Sequence, residues 1–99
     1  VSEGHGPATV LIVHEVADYP AWKKVFDDAA DIRAEAGERT FRVLRADGPG
    51  ERIVHLSTWT SHDDARAFFE SPRLVEIRRR AGVHAPEFLY LDELDAGTL

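Results

Sequence analysis

The chain has 99 residues, 43% of them apolar and 30% charged, with 12 Lys and Arg against 18 Asp and Glu and a formal net charge of −6. That balance is globular, and an acidic chain lacks the basic surface that nucleic-acid backbones reward, so no nucleic-acid partner is expected. The absence of cysteine excludes disulfides, thiolate catalysis and cysteine-based zinc sites.

A single domain of this size buries only a modest share of its surface, so self-association is expected to add burial. No stretch approaches the roughly 20 apolar residues that span a bilayer, and the opening "VSEGHGPAT" lacks the apolar core of a signal peptide. These features predict a soluble, cytoplasmic protein with no membrane partner. Residues 1–7, with two glycines and a proline, read as a flexible tail ahead of one domain over 8–99.

From Ala8, "ATVLIVHEV" is nearly continuous in apolar character, which suits a strand covered on both faces. Val10, Ile12, His14 and Val16 share one face; Leu11, Val13 and Glu15 share the other. In "DYPAWKKVFDDAADIRAEAG", Trp22, Val25, Phe26, Ala29, Ile32 and Ala36 recur at helical spacing. One long amphipathic helix follows, begun by Asp18 or Tyr19, with Pro20 in its first turn and Gly37 closing it. Lys23 with Asp27 and Lys24 with Asp28 form ion pairs along its exposed side.

"RTFRVLRA" and "RIVHLSTW", separated by "DGPGE", read as a hairpin. In the second strand Ile53, His55, Ser57 and Trp59 alternate with Val54, Leu56 and Thr58. Ser61 and Asp64 stand at capping-box spacing and open a helix whose apolar contacts are Ala65, Phe68 and Phe69. Ser71 and Pro72 open a separate short helix to about Ala81, stopped by Gly82. The run Arg78, Arg79, Arg80 is the only basic cluster, and its ordinary reading is a solvated helix end. "APEFLYLDEL" reads as the last strand.

The order is βαββαβ with the second helix split in two. It predicts an α+β, ferredoxin-like fold, in which a four-stranded antiparallel sheet carries its helices on one face. The uncovered face cannot be polar, because the first strand is apolar at both parities and the last places Phe88 and Tyr90 opposite Leu89 and Leu91. A partner sheet is expected to cover it, giving a symmetric homodimer in which two sheets curl into one α/β barrel.

Together, this order, "VHEV" with "DYPAWKKVF", and "STWTSHDDARAFFESPRLVEIR" resemble the dimeric α/β-barrel superfamily, specifically its antibiotic biosynthesis monooxygenase type. The resemblance spans residues 8–95 as an architecture, and Trp59 to Arg78 is its specific part. It implies a cofactor-independent monooxygenase acting on an aromatic, polyketide-type small molecule without flavin or metal. A non-oxidative small-molecule binder, cyclase or isomerase on the same barrel is the alternative. In the polyketide-oxidising members an asparagine lies four residues before the tryptophan, a tyrosine six after it, and an arginine on the helix following the proline. Trp59 and Arg78 match, whereas His55 and Ala65 stand in the other two places. In the haem-degrading branch the iron-binding histidine position corresponds to Arg78 and a second tryptophan position to Phe68. An arginine offers iron no neutral imidazole lone pair, so haem is not implied.

The candidate catalytic residues are His55, His14, Trp59 and Arg78. Alternation could place both histidines on the non-helical face of the sheet, towards one cavity. There they would take a proton from a phenol or an activated C–H group; alternatively, each is a buried histidine satisfied by one hydrogen bond. A shared metal site lacks a third ligand, since Glu15 points away from His14. Trp59 can stack on a flat substrate or simply pack. Arg78 can hold an enolate or phenolate oxygen, or form a surface ion pair with Glu70. Tyr90 reaches either the cavity or the dimer seam, and Phe68 and Phe69 are either substrate platform or core. His5, His62 and His84 receive no role.

Overall fold

Four strands form one sheet: β1 (Ala8–Val16), β2 (Glu38–Arg45), β3 (Arg52–Trp59) and β4 (Val83–Leu91). The computed structural model describes residues 8–99, apart from the side chains of His84 and Ala85, so the tail expected at 1–7 lies outside the described residues. The strand order is β2-β3-β1-β4, with every neighbour antiparallel. With four helices, α1 (Tyr19–Asp28), α2 (Ala30–Ala36), α3 (His62–Phe69) and α4 (Pro72–Arg80), this is the ferredoxin-like α+β fold.

Register decides which side chains meet. Ile12 lies opposite His55 on β3 and Phe88 on β4, and Val10 lies opposite Ser57 and Tyr90. Residues paired in this way project from the same side of the sheet. That side faces the helices, because Val10, Ile12 and Trp59 pack with Ala65, Phe69 and Leu74, while Val16 and Ile53 pack with Trp22, Phe26 and Ala81. Each large apolar side chain buried there contributes about 2 kcal/mol. Since His14 and His55 share this parity, they face the helices, which corrects the expectation that they point to the non-helical side.

The opposite face carries Leu11, Val13, Leu44, Val54, Leu56, Leu89 and Leu91. Leu44 is 41% and Leu89 43% exposed, so no helix covers this layer.

The single long helix read from the sequence is instead two. Ala29 leaves helical geometry at φ −89°, ψ 4°, between α1 and α2. A physical cause sits beside it, for the Arg33 guanidinium donates to the Phe26 carbonyl at 3.2 Å and so inserts a side chain at the end of α1's backbone ladder. Asp18 does precede α1, with Pro20 in the first turn, but its side chain makes no cap hydrogen bond.

At α3, Ser61 Oγ accepts from the Asp64 N–H at 3.0 Å, which is half of the expected capping box. The Asp64 carboxylate takes the Thr60 hydroxyl rather than closing the box. Ser71 Oγ accepts the Leu74 N–H at 3.3 Å and starts α4, as its Ser-Pro sequence indicated. The last strand begins at Val83, earlier than read, and ends at Leu91 rather than continuing through Leu94. Its register against β1 shifts between Val13 and Glu15, where Pro86 cannot donate to the ladder. Among the described residues no helix is long and apolar enough to cross a membrane.

Candidate active site

Between the sheet and the helices lies an apolar chamber of about 60 Å³. Ile12 and His14 from β1, His55 from β3 and Phe88 from β4 form its floor. Trp22 and Phe26 close one side, and Phe68, Phe69 and Ile77 the other, with Arg78 bringing the helix-end charge inward.

Two of its polar groups are buried histidines in different situations. His14 is 5% exposed, and neither of its ring nitrogens has a hydrogen-bond partner in the protein. Burial, reinforced by the proximity of His55 and Arg78, lowers its pKa to about 3. The imidazole is therefore neutral near physiological pH, with one N–H to donate and one lone pair to offer. Its ring packs against Trp22 with centroids 5.4 Å apart.

His55 is 3% exposed, and its Nε2 lies 2.9 Å from a carboxylate oxygen of Glu38, which is also buried. An ionised carboxylate only accepts, so Nε2 donates this hydrogen bond and the ring is held in one orientation. Glu38 in turn receives Arg33 Nη1 at 3.1 and 3.2 Å on its two oxygens. Arg33 is itself buried and stacks on Phe26, its guanidinium carbon 3.7 Å from the ring centroid. The result is a buried line from Arg33 through Glu38 to His55. Such an ion pair is costly to desolvate, and its geometry orients the imidazole.

Glu38 reaches this position through two backbone features. Gly37 adopts φ 128°, a left-handed geometry in which an added Cβ would collide with Thr60 Oγ1. Its carbonyl accepts the Thr60 N–H at 2.9 Å, which ties the start of β2 to the end of β3. The β2–β3 register then slips between Glu38 and Thr40, leaving Glu38 opposite Trp59 and turned to the helix side.

Arg78 donates Nη1–H to the Phe69 carbonyl at 3.0 Å and lies over Phe88 at 5.1 Å. Partial burial lowers its pKa, while proximity to Tyr90 opposes that shift. Its guanidinium therefore lines the chamber instead of forming the Glu70 ion pair considered from the sequence.

Of the seven site residues read from the sequence, the structure brings five to the chamber: His14, His55, Arg78, Phe68 and Phe69. Trp59 and Tyr90 lie beside it. The Trp59 indole N–H donates to Ser57 Oγ at 2.8 Å, and the ring packs on Phe68 and Phe69 within the core. Tyr90 is half-buried, with the Arg66 guanidinium 4.5 Å over its ring and His62 at 6.2 Å. Burial raises the Tyr90 pKa, with Glu70 adding to the shift. Among the described residues no group of three or more His, Asp or Glu is arranged to hold a metal ion.

Sequence reasoning missed Arg33 and Glu38. The stripe Trp22, Phe26, Ala29 does extend to position 33 at helical spacing, so an arginine on a buried stripe was a usable signal. Glu38 had none, because the register slip inverts its expected side.

The ferredoxin-like fold is shared with solved structures of the antibiotic biosynthesis monooxygenase type. No family model matches the sequence and no curated protein does. Solved structures do match. A cofactor-independent oxygenase from Streptomyces nogalater, SnoaB, is similar at TM-score 0.68 and 17% identity, over 95% of this chain and 97% of that one. A Caulobacter crescentus protein provisionally named an antibiotic biosynthesis monooxygenase is similar at TM-score 0.69 and 21% identity, over 93% of each. The ActVA-Orf6 monooxygenase of Streptomyces coelicolor, solved with nanaomycin D, is similar at TM-score 0.63 and 16% identity, over 94% and 92%. At these identities the likeness establishes the fold.

Proposed function

We propose that this protein is a cofactor-independent monooxygenase for a hydroxylated, polyketide-type aromatic small molecule. The observation that carries the reading is the buried Arg33–Glu38–His55 line ending at an apolar chamber. His55, held by Glu38, takes the proton from a phenol or an activated ring CH₂, and Glu38 stabilises the imidazolium so formed. Neutral His14 and cationic Arg78 hold the developing enolate oxygen, while the apolar walls exclude water. The carbanion gives one electron to dioxygen, and the two radicals combine at that carbon to a hydroperoxide. Loss of water then leaves a carbonyl. Overall one CH₂ becomes C=O, one oxygen atom is retained, and the other leaves as water. The substrate is its own reductant, so the scheme requires neither flavin nor metal. Trp59, Phe68 and Phe69 shape the wall, and Tyr90 backs Arg78.

The same reading includes a homodimer closed over the Leu11, Leu56 and Leu89 face, since apolar side chains of that extent are stabilised by a second sheet. The test is oxygen uptake with 1,8-dihydroxyanthrone. One O₂ consumed per quinone formed, with one labelled oxygen atom in the product, is the expected result. Turnover of the anthrone without oxygen uptake would move the protein to the non-oxidative reading.

A further inference from the structure

Taking that chamber as its starting point, we infer that the open groove between α1–α2 and α4 is an outer subsite for an acidic arm of the substrate, reached through a wall of Val25, Ala29 and Ile77. About 150 Å³ of dry apolar cavity holds one benzene ring, so a chamber of about 60 Å³ admits a ring only if a wall yields. One wall has space behind it. Val25, Ala29 and Ile77 line the chamber and also line a solvent-open groove of about 600 Å³. Val25 and Ile77 are half-buried side chains with groove on their outer side. Ala29 is the point where the α1–α2 backbone breaks, so the wall includes the least continuous part of the helical layer. A multi-ring ligand with its reacting ring inward would run out between these residues into the groove.

The groove's charge specifies the arm. Its rim holds Asp28, Glu76, Arg73 and Arg80. Each carboxylate already has a cation outside the rim, Asp28 through Lys24 at 3.1 Å and Glu76 through Arg79 at 3.2 Å. The rim is formally neutral, but with both carboxylates held by those neighbours, Arg73 and Arg80 are its charges that form no ion pair among the described residues. They lie two helical turns apart along α4, about 10 Å. Beyond Arg73 the surface continues to Glu35 and Asp64, which confines a negative arm to the Arg73–Arg80 stretch. The ligand class is a planar phenol or hydroquinone bearing a carboxylate remote from its reacting ring.

Calorimetric binding of 6-hydroxy-2-naphthoate and uncharged 2-naphthol tests this. The carboxylate is expected to bind about five-fold more tightly, as partly exposed ion pairs allow. Arg73→Gln with Arg80→Gln should abolish that preference without changing 2-naphthol binding. Ile77→Trp should weaken both probes by about ten-fold or more, with unchanged circular dichroism; Val25→Phe repeats the block from the facing helix should Ile77→Trp not fold. A preference that survives the double arginine change, wild-type affinity in both blocked variants, or no binding of either probe at millimolar concentration overturns the inference. Oxygen is not read in this experiment, so the expected binding pattern together with an absence of oxidation would support the groove and remove the monooxygenase reading.

Discussion

The burial of His14 makes folding stability depend on pH in a calculable way. Its pKa lies at about 3 in the folded chain against 6.5 for the free side chain. A base whose folded pKa is depressed binds fewer protons than the unfolded chain between those values, so stability is complete above pH 6.5 and is lost as pH falls towards 3. Each pH unit in that window is worth about 1.4 kcal/mol, so moving from pH 8 to pH 5 removes about 2 kcal/mol through this side chain alone. His14→Leu keeps the apolar contact with Trp22 and deletes the titration. Urea unfolding of both proteins, at one fixed protein concentration in case of association, should show the wild type losing about 2 kcal/mol more than the variant over that interval. Parallel pH profiles would refute the reasoning, since they would mean that His14 accepts a proton where it sits.

Other perturbations follow from the same geometry. Glu38→Gln keeps a hydrogen-bonding group beside His55 but removes the charge, and anthrone oxidation should fall by about 10²-fold or more, with affinity for a bound aromatic little changed. The same variant leaves Arg33 buried without its counter-charge, so a stability loss of about 3 kcal/mol is expected in urea titration. Gly37→Ala places a Cβ against Thr60 Oγ1 at positive φ and should cost about 1–3 kcal/mol, read as a lowered denaturation midpoint. The proposed homodimer predicts twice the chain mass for the wild type by sedimentation at micromolar concentration and the single-chain mass for Leu89→Lys, on the uncovered sheet face; a single-chain mass for the wild type, or a dimer mass for the variant, would refute a dimer closed over that face.

Much of the fold was legible because its signals were local. The apolar run "ATVLIVHEV" and the alternation along "RIVHLSTW" marked two strands, and Ser61 and Ser71 marked two helix starts that their side chains do cap. The break at Ala29 was not legible, since helical periodicity continues through it and its cause is a side-chain bond made only in the fold. Parity correctly grouped His14 with His55, but parity alone does not say which face carries helices. That ambiguity put the histidines on the wrong side of the sheet. Glu38 was hidden by the register slip beside Arg39, which no local pattern announces. Trp59 drew attention as a strand-ending aromatic, and the structure answers with a packed ring whose N–H is satisfied by Ser57.

The most direct test of the account is a crystal structure with 1,8-dihydroxyanthraquinone, a product-like and unreactive aromatic. Its ring system is expected between the sheet and the helices, with one oxygen within hydrogen-bond distance of His55 and Val25 and Ile77 moved outward. Binding on the Leu11, Leu56 and Leu89 face instead, with the chamber unchanged, would contradict the assignment of the helix-side histidines to the reaction.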